Sequence, residues 1–343
     1  MGKPPLRRRR LGSPWTARNN LQIDMETPQN HRPSLVSNGV PKELDNTPGH
    51  KAISNHALGR GSLTALGHVA LFIVATILFW IAASWLMSAL LVDRITLTLF
   101  SLFPAVATST YLLLNVPSPR SLSSIGAVLN CRTATITGCG IGLGVGLVGA
   151  TLGIHWVFGW AEVSTGNLAH YTGQSWEPPL MVGLLGIATG AAGEELLVRG
   201  YGFQQLARAT HPWGAVAITS SIFGWMHYGN PNFSWLALVN TVLFGVLFGL
   251  AIVRHRTLWL TYGIHVGWNL SLAVSGVSLS GLKIKLTTIH VTVVGPPLWT
   301  GGMYGPEAGL SATIAVLIAS WVIWRLPLMD RNRMLWEGVR KTA

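Results

Sequence analysis

The chain has 343 residues, 49% of them hydrophobic and only 10% charged, with 15 tryptophans. That balance, with a mean hydropathy of +0.43, argues against an ordinary soluble enzyme and points to a protein that crosses a bilayer several times. The net charge of +12 comes largely from about the first sixty and the last twenty residues; basic tails beside membrane spans follow the positive-inside rule or meet anionic lipid, so nucleic acid is a poor inference.

Residues 1–62 are rich in Arg, Pro, Asn and Ser and lack hydrophobic periodicity, which predicts a disordered basic N-terminal tail. The run Arg7-Arg8-Arg9-Arg10 is followed by polar sequence to about Leu63 rather than an apolar core, which argues against a cleaved signal peptide, and Leu6 stands where a myristoylation site needs Ser or Thr. Beyond the tail, apolar stretches suited to a hydrocarbon core of about 30 Å recur, roughly eight in all. The expected spans are 66–92, 95–117, 133–158, 179–206, 213–229, 234–253, 258–279 and 308–326. Asp93-Arg94 separates the first two, and Pro117 to Arg132 reads as a surface loop. The expected fold is therefore an all-α polytopic integral membrane protein. N-terminal transmembrane helices occupy 63–178, and a catalytic transmembrane region with a basic C-terminal tail occupies 179–343. With the amino terminus inside, Arg120, Arg132, Arg208, Arg254, Arg256 and the C-terminal arginines fall on one side and Glu162 and Glu177 on the other, Lys283 and Lys285 being exceptions. That asymmetry puts both termini in the cytoplasm. Gly138 to Gly149 reads as a Gly-x-x-x-Gly packing surface between helices. Cys131 and Cys139 have no metal-ligand spacing and are expected to be buried thiols rather than a disulfide framework.

The polar groups inside these spans carry the chemistry, because carboxylates, guanidinium and imidazoles at membrane depth are kept there by pairing or by a water-filled cavity. Glu194, Glu195 and Arg199 lie on the fourth span, His227 at the end of the fifth, and His265 and Asn269 on the seventh. Glu195 and Arg199 are four apart and share a helix face, so they are expected to form an ion pair. Glu194 is turned by about 100° from Glu195 and is left to act. His265 and Asn269 are also four apart and project toward one point. Counted from the cytoplasmic ends, Glu194, His227 and His265 lie roughly 18, 21 and 12 Å deep, compatible with one cavity near mid-membrane. A carboxylate beside an imidazole can take a proton from water as the oxygen attacks a carbonyl, and a second imidazole with an amide can donate to the developing oxyanion. The set Glu194, His227 and His265 also matches the two-imidazole, one-carboxylate shell of catalytic zinc, although no His-Glu-x-x-His motif is present.

Glu194-Glu195-x-x-x-Arg199-Gly200, then Phe223-x-x-x-His227, then His265-x-x-x-Asn269 resemble, in order and interval, the motifs of the CPBP family. These are the CAAX-prenyl-protease and bacteriocin-processing intramembrane endopeptidases, also called Abi proteins. Phe244-Gly245 with Gly249, and Gly302-Met303-Tyr304-Gly305-Pro306-Glu307, are similar to bacterial members. The resemblance covers about 180–325 and implies a peptidase of a bacterial inner membrane acting on a peptide or membrane-protein tail. In it Glu194 and His227 prepare water, His265 and Asn269 bind the oxyanion, and Glu195 and Arg199 support the site. It implies no required cofactor, while the family's metalloprotease label keeps zinc open.

Structural readings stand beside these. Glu195 with Arg199 alone is a common ion pair, His227 can be an interfacial histidine before the Tyr228-Gly229-Asn230-Pro231 loop, and His265, Asn269 and Asn240 can be interhelical hydrogen-bonding glue. A non-catalytic immunity or scaffold protein, or a transporter relaying protons through Glu194, His227 and His265, would use the same residues differently.

Overall fold

In lipid every backbone N–H and C=O must be satisfied within the protein, so an apolar chain of this kind is driven into helices. The computed structural model describes Gly2 and residues 48–90, 93–116, 119–165, 175–327 and 334–339. The chain divides into Met1–Pro48 and Gly49–Ala343. Gly2 and Pro48 apart, the first unit lies outside the described residues, and with it most of the tail expected over 1–62. The last part of that stretch is already helical, since α1 runs from Pro48 to Ser88.

Gly49–Ala343 is dominated by helices. After α1 come α2 (Arg94–Asn115), α3 (Thr133–Val157), α4 (Leu180–Arg199), α5 (Tyr201–Ala209), α6 (Pro212–Met226), α7 (Trp235–His255), α8 (Leu258–Val274), a single turn α9 (Pro297–Thr300) and α10 (Leu310–Arg325). Long enough and apolar enough to cross a membrane are Gly61–Ser88, Arg94–Asn115, Thr133–Val157, Leu180–Ala209 and Trp235–His255. The fifth, seventh and eighth expected spans correspond to α6, α8 and α10, of 15, 17 and 16 residues, which rise about 22–26 Å at 1.5 Å per residue.

Local chemistry sets the helix starts. The Asp93 carboxylate accepts the N–H groups of Ile95 and Thr96 at 3.0 and 2.9 Å. Ser234 Oγ accepts from Ala237 N–H at 3.1 Å and Thr257 Oγ1 from Trp259 N–H at 3.2 Å; each side chain satisfies a donor that the first helical turn leaves unpaired.

Among the described residues two small sheets accompany the helices of the expected all-α fold. β1 (Ala161–Thr165) pairs antiparallel with β4 (Ile289–Val293), Ala161 opposite Val293, and β2 (Ser175–Trp176) pairs parallel with β3 (Lys283–Ile284). Both join the segment between α3 and α4 to the segment after α8. Pairing at such sequence separation leaves no local periodicity to read.

The densest contact is between α3 and α8. Ideal Cβ atoms on Gly140 and Gly144 would meet α8 backbone at 2.6 and 2.3 Å, and on Gly263 and Gly267 would meet α3 backbone at 2.4 Å each. The expected small-residue packing surface therefore uses one face of the glycine run, while Gly138, Gly142, Gly146 and Gly149 open onto space. The core follows from this seam: Leu260, Ile264, Trp268 and Leu272 of α8 and Leu247 and Phe248 of α7 are buried together. Cys131 and Cys139 are free but exposed, correcting the expectation of burial; Cys139 projects from α3 away from the glycine seam.

Candidate active site

The site begins with a break in the fourth span. A Cβ on Gly200 would sit 2.1 Å from the Leu196 carbonyl oxygen, so glycine lets the chain turn there, ending α4 at Arg199 and starting α5 at Tyr201. Just before the break, Glu195 and Arg199 are both buried, 2% and 0% exposed, with Arg199 Nη1 3.3 Å from Glu195 Oε1. The expected ion pair is present. Arg199 Nη2 also donates to the Gly245 carbonyl at 3.3 Å. Its guanidinium lies 4.5 Å from the Phe223 ring centroid and 5.2 Å from that of Phe248, where ring quadrupoles favour a cation.

Glu195 does more than balance Arg199. Its Oε1 also accepts from His265 Nδ1 at 2.9 Å, which fixes the ring and turns Nε2 toward Glu194, whose Oε2 is 3.8 Å away. Sequence spacing within one helix revealed the first bond and could not reveal the second, which crosses from α4 to α8. Two aromatic rings hold the imidazole: Phe248 stacks on it at 5.2 Å and 19°, and Phe223 meets it edge-on at 6.0 Å and 89°. Phe223 also lies 4.9 Å from the His227 ring.

His227 caps the C-terminus of α6. Its Nδ1 is 2.9 Å from the Phe223 carbonyl oxygen. A carbonyl only accepts, so Nδ1 carries the proton, and in the neutral ring Nε2 is the basic nitrogen. Glu194, His227, His265 and Asn269 all line one cavity of about 840 Å³. Within it His265 contacts both glutamates, whereas among the described residues no hydrogen bond joins Glu194 to His227. The Glu194 side chain is 27% exposed, yet its Oε2 is buried and accepts no hydrogen bond from a described residue.

A buried network beyond the motifs closes another part of the cavity wall. Glu307, 8% exposed, accepts from Trp268 Nε1 at 3.0 Å, from the Ser280 N–H, and from Ser280 Oγ at 2.8 Å. Burial and the Glu307 carboxylate push the neighbouring Tyr304 hydroxyl above the ordinary phenol range. Trp268 precedes Asn269, so this network braces the backbone that presents the amide. The sequence signal for Glu307 was only its place in the Gly302 to Glu307 run. Asn240 is structural glue: its amide donates to the Glu307 and Gly309 carbonyls at 2.8 and 3.0 Å and accepts from Thr313 at 2.7 Å.

The zinc alternative needs three ligands converging on one point. Among the described residues no three His, Cys, Asp or Glu side chains form such a group. His265 Nδ1 is bonded to Glu195 and His227 Nδ1 to a carbonyl, which leaves Nε2 as the nitrogen that each imidazole would offer to a metal.

The family model described as type II CAAX prenyl endopeptidase Rce1-like matches residues 176–271, from β2 to α8. That stretch contains all six motif residues. No curated protein and no solved structure matches the chain.

Proposed function

Since residues 176–271 carry an Rce1-like domain of the CPBP endopeptidase family, we propose that this integral membrane protein hydrolyses a peptide bond in the cavity, Glu194 and His227 activating water and His265 and Asn269 binding the oxyanion. The observation that carries this reading is the imidazole of His265, bound on one nitrogen to Glu195 at 2.9 Å and facing Glu194 with the other at 3.8 Å.

The chemistry follows from the donors and acceptors. Water held by Glu194 and by Nε2 of His227 gives its proton to the Glu194 carboxylate as its oxygen attacks the scissile carbonyl carbon. The carbonyl oxygen becomes negative, and Asn269 Nδ2–H and His265 Nε2–H donate to it. Because Nδ1–H of His265 is already given to Glu195, Nε2 bears a proton only in the imidazolium. Charge balance supports that form: two carboxylates, Arg199 and a cationic His265 sum to zero, and buried charge is tolerated when it is paired. When the carbon–nitrogen bond breaks, the proton on Glu194 passes to the leaving amine, giving a carboxylic acid and an amine and restoring the Glu194 carboxylate; the new acid then yields its proton to the amine or to water.

The substrate in this reading is a peptide or membrane-protein tail reaching the cavity from the bilayer or its cytoplasmic face. The protein then sits in a bacterial inner membrane with both termini cytoplasmic, and the mechanism requires no metal. The test compares peptides released from membranes of cells producing the wild type or Glu194→Gln. The variant keeps shape and removes the base, and turnover should fall by at least about 100-fold while the protein stays folded. Unchanged release, with biological activity retained, would favour a non-catalytic membrane factor; proton flux through proteoliposomes would favour a relay.

A further inference from the structure

We propose that Arg120 and Arg208 form a binding site for the phosphate of an anionic phospholipid, where α1, α5 and the end of α2 meet. Neither residue lines the reacting cavity, and the assignment does not depend on the peptidase reading.

Both arginines stand at the ends of apolar segments, where headgroups lie. Arg208 immediately precedes the last residue of the span Leu180–Ala209, and Arg120 follows α2, which ends at Asn115. The chain after α2 folds back, its Arg120 N–H donating to the Leu114 carbonyl at 3.0 Å. Leu114 is buried in one core with Tyr201, Leu206 and Ala207 of α5, which brings Arg120 to that helix. Tyr201, Gln205 and Arg208 are spaced by four and three and share a face of α5. Arg208 Nη1 donates to Gln205 Oε1 at 3.0 Å, and the Tyr201 hydroxyl is joined to His68 Nδ1 of α1 at 3.0 Å. Arg120 and Arg208 are close enough for their charges to repel, and both act on the Tyr201 hydroxyl.

Other arginines expected on the same side are engaged: Arg256 pairs with Glu337 at 2.6 Å, and Arg254 donates to the Trp324 and Leu326 carbonyls. Among the described residues no carboxylate pairs with Arg120 or Arg208. Arg208 Nε is buried with no hydrogen-bond partner, although a guanidinium carries five donors. Two neighbouring cations without a counter-ion are unfavourable. The group that relieves them is an anion with several acceptor oxygens, and a phosphate matches the planar guanidinium fork. Basic pockets between membrane helices take lipid headgroups for this reason. Near His68 on α1, Leu63, Leu66 and Leu71 are exposed, an apolar surface that suits acyl chains and has no use for a free phosphate. Only 11% of the α1 apolar window is buried in the protein, so a headgroup beside the His68 and Tyr201 bond would fasten α1 to α5 and the end of α2.

The test uses the full-length protein, delipidated in detergent, with dioleoylphosphatidylglycerol, dioleoylphosphatidylcholine or inorganic phosphate added. Bound lipid is counted by native mass spectrometry and the thermal midpoint is followed in parallel. The wild type should hold phosphatidylglycerol about 10-fold more tightly than phosphatidylcholine. Its midpoint should rise with phosphatidylglycerol and not with the same concentration of inorganic phosphate. Arg120→Gln, at an exposed position, and Arg208→Gln should each remove the preference, whereas Arg132→Gln, at an exposed arginine outside the pair, should leave it intact. Should Arg208→Gln fail to fold, Arg208→Lys takes its place; it keeps the charge, loses the fork and should retain only part of the preference. A preference that survives substitution of both arginines, or that Arg132→Gln removes equally, overturns the site. A midpoint raised as much by inorganic phosphate as by phosphatidylglycerol overturns the lipid and gives the pair to a free anion.

Discussion

The cavity has two walls built on opposite plans. On one side α8, which carries His265 and Asn269, is pressed backbone to backbone against α3 through Gly140, Gly144, Gly263 and Gly267. On the other side α1 presents Val69, Phe72, Ile73, Thr76, Ile77 and Trp80 to the same space, a face at helical spacing. Only 11% of its apolar window is buried in the protein. It is held by isolated contacts: the Tyr201 hydroxyl with His68 Nδ1 at 3.0 Å, Trp80 Nε1 to Ser101 Oγ at 2.9 Å, and Phe72 packed beside Tyr201. Close packing fixes an imidazole to the tolerance that catalysis demands. A lightly held helix leaves a wall that can yield to a substrate arriving from lipid. Rigidity and access are thus assigned to different helices.

That contrast can be broken from either side. The largest effect should come from the glycine seam: in Gly144→Leu the new Cβ falls 2.3 Å from the Ile264 carbonyl oxygen. The helices must separate, and stability should drop by more than about 4 kcal/mol, seen as lost folded yield and a lowered thermal midpoint. Gly142→Leu, on the face with open space, should be tolerated, and equal damage from both would refute the assignment of faces. Next comes Arg199→Met, which leaves the buried Glu195 carboxylate without its cation. A loss of about 3–5 kcal/mol is expected, together with an activity loss beyond the change in folded fraction, because Glu195 orients His265. Full specific activity in the folded fraction would contradict that coupling. Smallest is Trp80→Phe, which removes the bond to the buried Ser101 hydroxyl and should cost about 1 kcal/mol. Its expected signature is altered KM with kcat unchanged, measured by steady-state kinetics in proteoliposomes.

Much of the fold was legible because bilayer physics writes it into composition. The eight apolar stretches correspond to helices, and the fourth breaks only where Gly200 removes a clash that lies in three dimensions. The small sheets were invisible because Ala161 and Val293 belong to segments far apart in sequence. Within the site, four-residue spacing disclosed the Glu195 and Arg199 pair and the shared face of His265 and Asn269. The bond from His265 to Glu195, the stacking of Phe248 and the Glu307 network depend on which faces of separate helices meet, and one-helix periodicity cannot report that. Cys139 shows the same limit in reverse: it stands in an apolar stretch, yet the side of α3 that carries it faces outward.

The account stands on side chains from α4, α6 and α8 acting as a unit on one water molecule. A double-substitution cycle tests this most directly: kcat/KM of purified wild type, Glu194→Gln, His227→Ala and the double variant on one peptide, with folding checked for each. Groups that activate the same water lose their contribution together, so the double variant should be no slower than the slower single variant. Losses that multiply across the two positions, or single variants that match the wild type, would contradict it.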